Sequence, residues 1–511
     1  MKYLFKALPV ITLAFTAITA SAQKVYNIKH YGAIADGKTN NTIAIQKAID
    51  EATAGGGTVV IPAGRFVTGV LNLKSNVELH LNKGAFLLGS TVRADYGAGK
   101  ASALIVSDHE HNIAITGQGV IDGQGDELLK DIYRRLHAGT LADSEWRKPN
   151  PWHQMRPTED NRPKLIELRN CDDIRVKNIT IKHGLCWIEN YKNCTNLVID
   201  SIKVESNTYW NNDGIDIVDS KNVKLTNSFF NVADDGICLK SEDPHGACEN
   251  IYVGNCRVRS SASAVKLGTG SLGGFKNIKI EHINVYDTYR SAIAVETVDG
   301  ALLEDVHISD ITAVNTGNAI VVRLGHRDRK GPMSVLRRVY IGNVKVDVPA
   351  GKPDAGYPME GPVVGAPHNV IPSSITGIPG GRVEDVTLEN ITINYHGNAK
   401  KSVAYFAADS LERVPEKTSD YPEFSMFGEL PAWGFYIRHA DGIKIKNMVL
   451  TCSGADFRPA FIADDVTGLS LDKVSIPQVK AQPVIILNKV SAPELNSIKI
   501  PGNPKQNIRI Q

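Results

Sequence analysis

The sequence has little that would hold it in a membrane or on a nucleic acid. Beyond the first two dozen residues no stretch approaches the ~18 unbroken apolar residues that a spanning helix needs. Neither sign of charge dominates: 57 Lys and Arg stand against 55 Asp and Glu, with no basic block of the kind that tracks phosphates. Cysteine is scarce. The seven residues include no Cys-x-x-Cys pair, which argues against a zinc ribbon or finger. Their odd number leads us to expect at most one or two disulfides, with most cysteines acting as small core residues. Asn-Gly hairpin signals are also missing, and with them the commonest short-range mark of an antiparallel meander.

What is present begins with an export signal. Lys2 and Lys6 precede an apolar stretch from Ala7 to Ala20, and Ala20-Ser21-Ala22 has the small-x-small form of a cleavage site. Residues 1–22 are expected to be a signal peptide cleaved after Ala22, placing the mature chain in a periplasm or outside the cell. Length alone suggests two or three domains. A repeat overrides that expectation and makes 23–511 one domain.

The repeat is a nonapeptide: Asn, Asp or Gly, then apolar residues at the second, fourth, seventh and ninth places. It reads DIRVKNITI from Asp173, NLVIDSIKV from Asn196, NVKLTNSFF from Asn222, NIYVGNCRV from Asn250, NIKIEHINV from Asn277 and DVHISDITA from Asp305. Later copies begin at Arg338, Asp385, Gly442 and Gly468, and a looser one at Asn112. From Asp173 to Asp305 the starts recur at a nearly constant interval. The alternation breaks after two polar places and resumes, which describes two short strands around a bend. Asn suits the bend because it tolerates positive φ. A further strand follows in each period, as in GIDIV from Gly214 and GICLK from Gly236. Propeller blades need longer periods, roughly 40–50 residues, and a leucine-rich repeat needs helical segments. The pattern predicts an all-β chain: a single right-handed parallel β-helix, each coil stacked on the last. An amphipathic helix over 41–53 would cap its first coil. Three long intervals, 122–164, 347–384 and 394–441, break the period and are read as loop insertions that build a binding face.

Stacking the second strands puts Ile215 and Ile217 inward and Asp216 outward. Asp213 and Asp234 are separated by close to one coil, so Asp213, Asp234 and Asp235 should converge on one spot. Repulsion raises at least one pKa in such a cluster. That lets one Asp donate a proton to a glycosidic oxygen while another carboxylate activates water. Turn chemistry alone, or a calcium site, are the other readings of clustered Asp-Gly sequences.

WNNDGIDIVDS and VADDGICLKS resemble the Asn-Thr-Asp-Gly and Asp-Asp-(Cys/Ala)-Ile motifs of glycoside hydrolase family 28, the polygalacturonases. The resemblance extends to YGAIADGKTNNTIAIQKAID near the start, RPKLIELRNC at 162–171 and SSITGIPGG at 373–381. It implies hydrolysis with inversion and no cofactor or metal. Asp234 would be the general acid, Asp213 and Asp235 would hold the attacking water, and Asn211 would help bind substrate. The chain departs from the family where Ser263 replaces the histidine of Gly-His-Gly and where Ala294-Val295-Glu296 replaces Arg-Ile-Lys. An acid sugar would then be held by Lys240, Lys266 or Arg323, with Arg323 alternatively paired to Glu296. In the second reading, the sugar at the cleavage site is neutral or deoxy and Glu296 accepts its hydroxyls. The expected partner is a plant cell-wall type polysaccharide or oligosaccharide. Its cleavage would follow an altered subsite specificity, of an exo or rhamnogalacturonan type, with the insertions blocking one end of the groove. A metal-using β-helix lyase or epimerase and a non-catalytic glycan-binding β-helix are the rival functions.

Overall fold

The computed structural model describes residues 24–148, 155–362, 371–397, 399, 407–477 and 483–511. The signal sequence and its cleavage site lie outside these residues, as do Tyr405 and Phe406 of the last insertion. Among the described residues no helix is long and apolar enough to cross a membrane.

The strands form one right-handed parallel β-helix in which each pairs with its counterparts in the coils before and after. The core is a single apolar column running from Tyr26 to Leu487. Cys171, Cys186, Cys194, Cys238, Cys248 and Cys256 form no disulfide, and all seven cysteines are buried, most of them within that column.

The nonapeptide explains the coil corners. Its first residue has positive φ in every copy, from Asn112 (50°) through Asp173 (55°), Asn222 (55°) and Asp305 (57°) to Gly468 (67°). So does its sixth, as at Asn178, Ser201, Asn227, Asn255 and Asn390. The sixth residue is the second of the two polar places between the strands, so the expected break in the alternation also falls at a bend, although Ser, His and Lys stand there as well as Asn. At the first corner the side chains form a ladder. Each Asn donates to the residue one coil back: Asn196 to Asp173 (3.0 Å), Asn222 to Asn196 (3.2 Å), Asn250 to Asn222 (3.1 Å) and Asn277 to Asn250 (2.7 Å).

The expected cap is present as the helix Thr42–Thr53, which buries Ile45, Ala48, Ile49 and Ala52 on the first coil. Part of the insertion at 122–164 is helical. It contains the helix Gly125–His137, which buries Leu128, Ile132 and Leu136. Asp126 and Glu127 in its first turn and Arg134, Arg135 and His137 in its last complement the helix dipole.

Candidate active site

Parallel pairing sets the register of the acidic residues. Ile215 pairs with Ile237 and Ile217 with Leu239. Gly214 N donates to Asp235 O at 2.9 Å, and Asp234 N donates to Asn212 O at 3.2 Å. Asp213 therefore stacks on Asp235, and Asp234 stacks on Asn212. The true coil is one position longer than the Asp213-to-Asp234 separation. The three carboxylates nevertheless converge, with one oxygen from each lying within 4.8 Å of the others.

A cleft of about 300 Å³ opens over them. Asn211, Asp213, Asp234, Asp235, Lys240 and Lys266 line it, so six of the nine expected site residues come together. Asn211 is fixed by the buried Arg162, which donates to its Oδ1 at 3.0 Å.

The two lysines are not free to meet a substrate charge. Lys240 Nζ lies 3.0 Å from Asp213 Oδ2, also pairs with Asp216, and sits 3.5 Å from the centre of the Trp187 ring. Lys266 Nζ lies 2.9 Å from Asp235 Oδ2 and donates to the Tyr421 hydroxyl at 3.0 Å. Burial works against both ammonium charges, but the facing carboxylates more than offset it and hold both lysines well above their ordinary pKa.

Among the described residues no cation pairs with Asp234, although the charges of Arg290 and Lys266 act on it from nearby. Asp234 is half-buried, and one of its oxygens accepts the Asp235 amide at 2.9 Å. Burial, then the charges of Asp213 and Asp235, push its carboxyl up to about 7. Asp235 feels burial too, but Lys266 and Arg290 overcome it and hold the carboxyl below its usual range. Asp213 is raised by burial, an effect that Lys240 partly reverses, and its Oδ1 is buried without a hydrogen-bond partner among the described residues. The trio thus divides into a carboxyl that keeps its proton near neutrality and a carboxylate held ionised, the division that acid–base chemistry needs.

The other three expected residues lie outside the lining. Ser263 sits one coil beyond Asp235 and helps through its backbone, whose amide donates to Asp235 Oδ1 at 3.1 Å. Glu296 is 2% exposed and raised to about 7, chiefly by burial. Arg323 is the register partner of Glu296, yet its guanidinium donates to the carbonyls of Gly377 (3.0 Å), Glu416 (2.9 Å) and Lys417 (2.9 Å). The expected Glu296–Arg323 pair does not form, because the last insertion folds over this coil and takes the guanidinium. Trp187, Thr269, Arg327 and Tyr421 also line the cleft, and sequence reasoning did not single them out as site residues. Tyr421 carried a signal, since it lies in an interval that breaks the period and is read as building a binding face; Thr269 and Arg327 carried none.

Among the described residues the acidic trio is also a candidate cation site. Its donor set fits one poorly, since two of the three carboxylates already face an ammonium.

The sequence profile of glycosyl hydrolases family 28 matches residues 53–359. The chain is 30% identical over 382 residues to an exo-poly-alpha-D-galacturonosidase of Dickeya chrysanthemi, covering 65% of this chain and 63% of that protein. It is 25% identical over 335 residues to a probable polygalacturonase of Vitis vinifera, covering 61% and 59% respectively. The chain thus spans less than two thirds of the length of these curated relatives. Its fold is similar to that of an exopolygalacturonase from Thermotoga maritima, with a TM-score of 0.60 at 20% identity over 84% of this chain and 91% of that one. With the profile match spanning more than half of the chain, the protein belongs to glycosyl hydrolases family 28.

Proposed function

We propose that the protein is an exported hydrolase of α-linked pectic polysaccharides or oligosaccharides. Asp234 donates the proton to the leaving oxygen, and Asp213 and Asp235 hold and activate the water. The observation that carries this reading is the uneven pairing of the trio: Asp213 and Asp235 each pair with a lysine ammonium, and among the described residues none pairs with Asp234.

The proposed steps use only these groups. The protonated Asp234 carboxyl gives its proton to the glycosidic oxygen as the bond to the anomeric carbon breaks. Water attacks that carbon and loses its proton to Asp235, which Lys266 keeps ionised. Asp213, with one oxygen on Lys240 and the other unpartnered, receives the water's second O–H. Inverting pairs usually stand roughly 6.5–9.5 Å apart to admit water between acid and base. The spacing here is shorter. In our reading Asp213 and Asp235 hold the water on the face of the anomeric carbon opposite the oxygen that Asp234 protonates, and the product is the inverted anomer.

Exo action is supported by the last insertion. Basic residues of three successive coils tie it across the face: Lys266 to Tyr421, Arg290 to Glu423 at 3.2 Å, and Arg323 to the carbonyls of Glu416 and Lys417. Such a wall limits how far a polymer can run past the acid. Export rests on the basic start, the apolar stretch and the Ala20-Ser21-Ala22 sequence. A metal-using lyase is disfavoured by the lysines that already neutralise the carboxylates.

Product analysis on a panel of pectic oligosaccharides tests the proposal. Hydrolysis predicts new reducing ends, no ultraviolet-absorbing unsaturated product, and an inverted anomer by proton NMR in the first minutes. An unsaturated product would establish a lyase instead, and a retained anomer would make one of the carboxylates a nucleophile.

A further inference from the structure

Every cation that lines the cleft already has a carboxylate partner. Lys240 is paired with Asp213 and Asp216, and Lys266 with Asp235. Arg327 is held in two-pronged fashion by Asp299, at 2.7 Å to each oxygen. Arg290, buried next to the trio, faces Glu423 of the insertion. The lining itself carries five acids, Glu159, Asp213, Asp234, Asp235 and Glu242, against those three cations. A substrate carboxylate entering here would find no unpaired positive charge among the described residues. It would lose its hydration beside carboxylates, an arrangement that selects against it. The uncharged polar groups are another matter. Thr269 lines the cleft, is 6% exposed, and its buried Oγ1 has no partner among the described residues. Tyr421, 49% exposed, presents a ring and a hydroxyl at the rim. Such groups suit sugar hydroxyls and a sugar face.

We infer that the sugar ring seated over Asp234 and Lys266 carries no carboxylate, so that the enzyme acts next to an uncharged or esterified residue of a pectic chain. The inference rests on the glycosidase reading for its setting and on the pairing of the cations for its content. Glu423 acts as a built-in substitute for the substrate charge, because it pairs at 3.2 Å with Arg290, the guanidinium buried next to the trio, whose Nε has no hydrogen-bond partner among the described residues.

The test uses the full-length Asp234→Asn variant, expected to hold substrate while turning it over roughly 10²–10⁴-fold more slowly. Binding is measured at low ionic strength for an oligogalacturonide, its methyl ester, its carboxyl-reduced form, and a rhamnogalacturonan oligosaccharide ending in rhamnose. The expected result is that at least one uncharged-ended ligand binds 10-fold or more tighter than the acid, with the gap narrowing as salt is added. Acid binding as tight as the best uncharged ligand overturns the inference, and so does an absence of binding by all four. Wild-type turnover of the same panel separates the two claims. Uncharged ligands that bind but are never cleaved sink the hydrolase reading and leave this one standing. Preferred cleavage of the acid does the reverse. As a second variant, Glu423→Gln frees Arg290 and should move the affinity ratio at least threefold toward the acid. An unchanged ratio contradicts the role given to Glu423.

Discussion

Two of the places where polar side chains stack from coil to coil, the nonapeptide corner and the acidic site, solve that problem differently. At the corner opened by each nonapeptide the stacked groups are mainly amides. Asn222 donates to Asn196 and accepts from Asn250, and no charge has to be met. At the site the stacked groups are Asp213 and Asp235, with Asp234 beside them. Parallel coils bring neighbours to about 4.8 Å whatever their chemistry. Carboxylates at that spacing repel, and burial raises the cost of each charge. Lys266, with Arg290, meets that cost at Asp235, and Lys240 meets part of it at Asp213. The remaining carboxyl, Asp234, keeps its proton. The ladder gives stability and no chemistry; the trio gives chemistry at the expense of stability.

The comparison makes opposite predictions for the two places. Asp234→Asn should lower kcat by roughly 10²–10⁴-fold, the usual contribution of a positioned acid. It should not lower the melting temperature. Because folding raises the Asp234 pKa to about 7, the folded state binds a proton more tightly than the unfolded one, and stability falls as pH rises from about 4 to 7. The Asn variant lacks that loss, so its advantage in melting temperature should grow across the same window. A variant that is both inactive and unstable at pH 7 would mean that Asp234 is a structural residue.

Next in size, Lys266→Met leaves Asp235 buried without its cation. Breaking a buried pair in this way costs about 3 kcal/mol or more, read as a shift in denaturant midpoint. If the midpoint stays put, the pair is not buried as described. Asn222→Ala removes two ladder bonds and puts Ala at positive φ. It should cost about 2 kcal/mol of stability and leave kcat/KM within twofold of wild type. A tenfold loss of activity would show that the two places are coupled. Smallest of all, Tyr421→Phe removes only the hydroxyl that accepts from Lys266. A loss of about 1 kcal/mol or less is expected, seen as a modest rise in KM.

The same contrast explains what could be read from the sequence. The ladder corner was legible because its Asn recurs with the period and has one backbone reason to be there. The three aspartates were legible because two Asp-Gly sequences fall about one coil apart. That Asp213 stacks on Asp235 rather than on Asp234 needed the Ile215–Ile237 register. The placement of Lys240 and Lys266 on the outer face was legible too, but their partners were not. Pairing depends on the depth of the cleft, and sequence spacing carries no depth. Arg323 misled for a related reason. Its register neighbour is indeed Glu296, yet the loop at Glu416 and Lys417, far along the chain, reaches it first. The helix Gly125–His137 went unread because its interval breaks the period and was read whole as a loop insertion, which passed over a clear helical period at Leu128, Ile132 and Leu136.

The central claim is that lysine pairing divides the trio into acid and base. The pH dependence of kcat/KM for wild type and Lys266→Met on one cleaved substrate tests it most directly. The account predicts a wild-type profile that falls on the alkaline side near pH 7, where Asp234 loses its proton, and on the acid side well below that. In Lys266→Met the acid-side limb should move up by about one pH unit or more, because Asp235 has lost the charge that kept it ionised, while the alkaline limb moves much less. Superimposable profiles would contradict the division of roles drawn from the pairing.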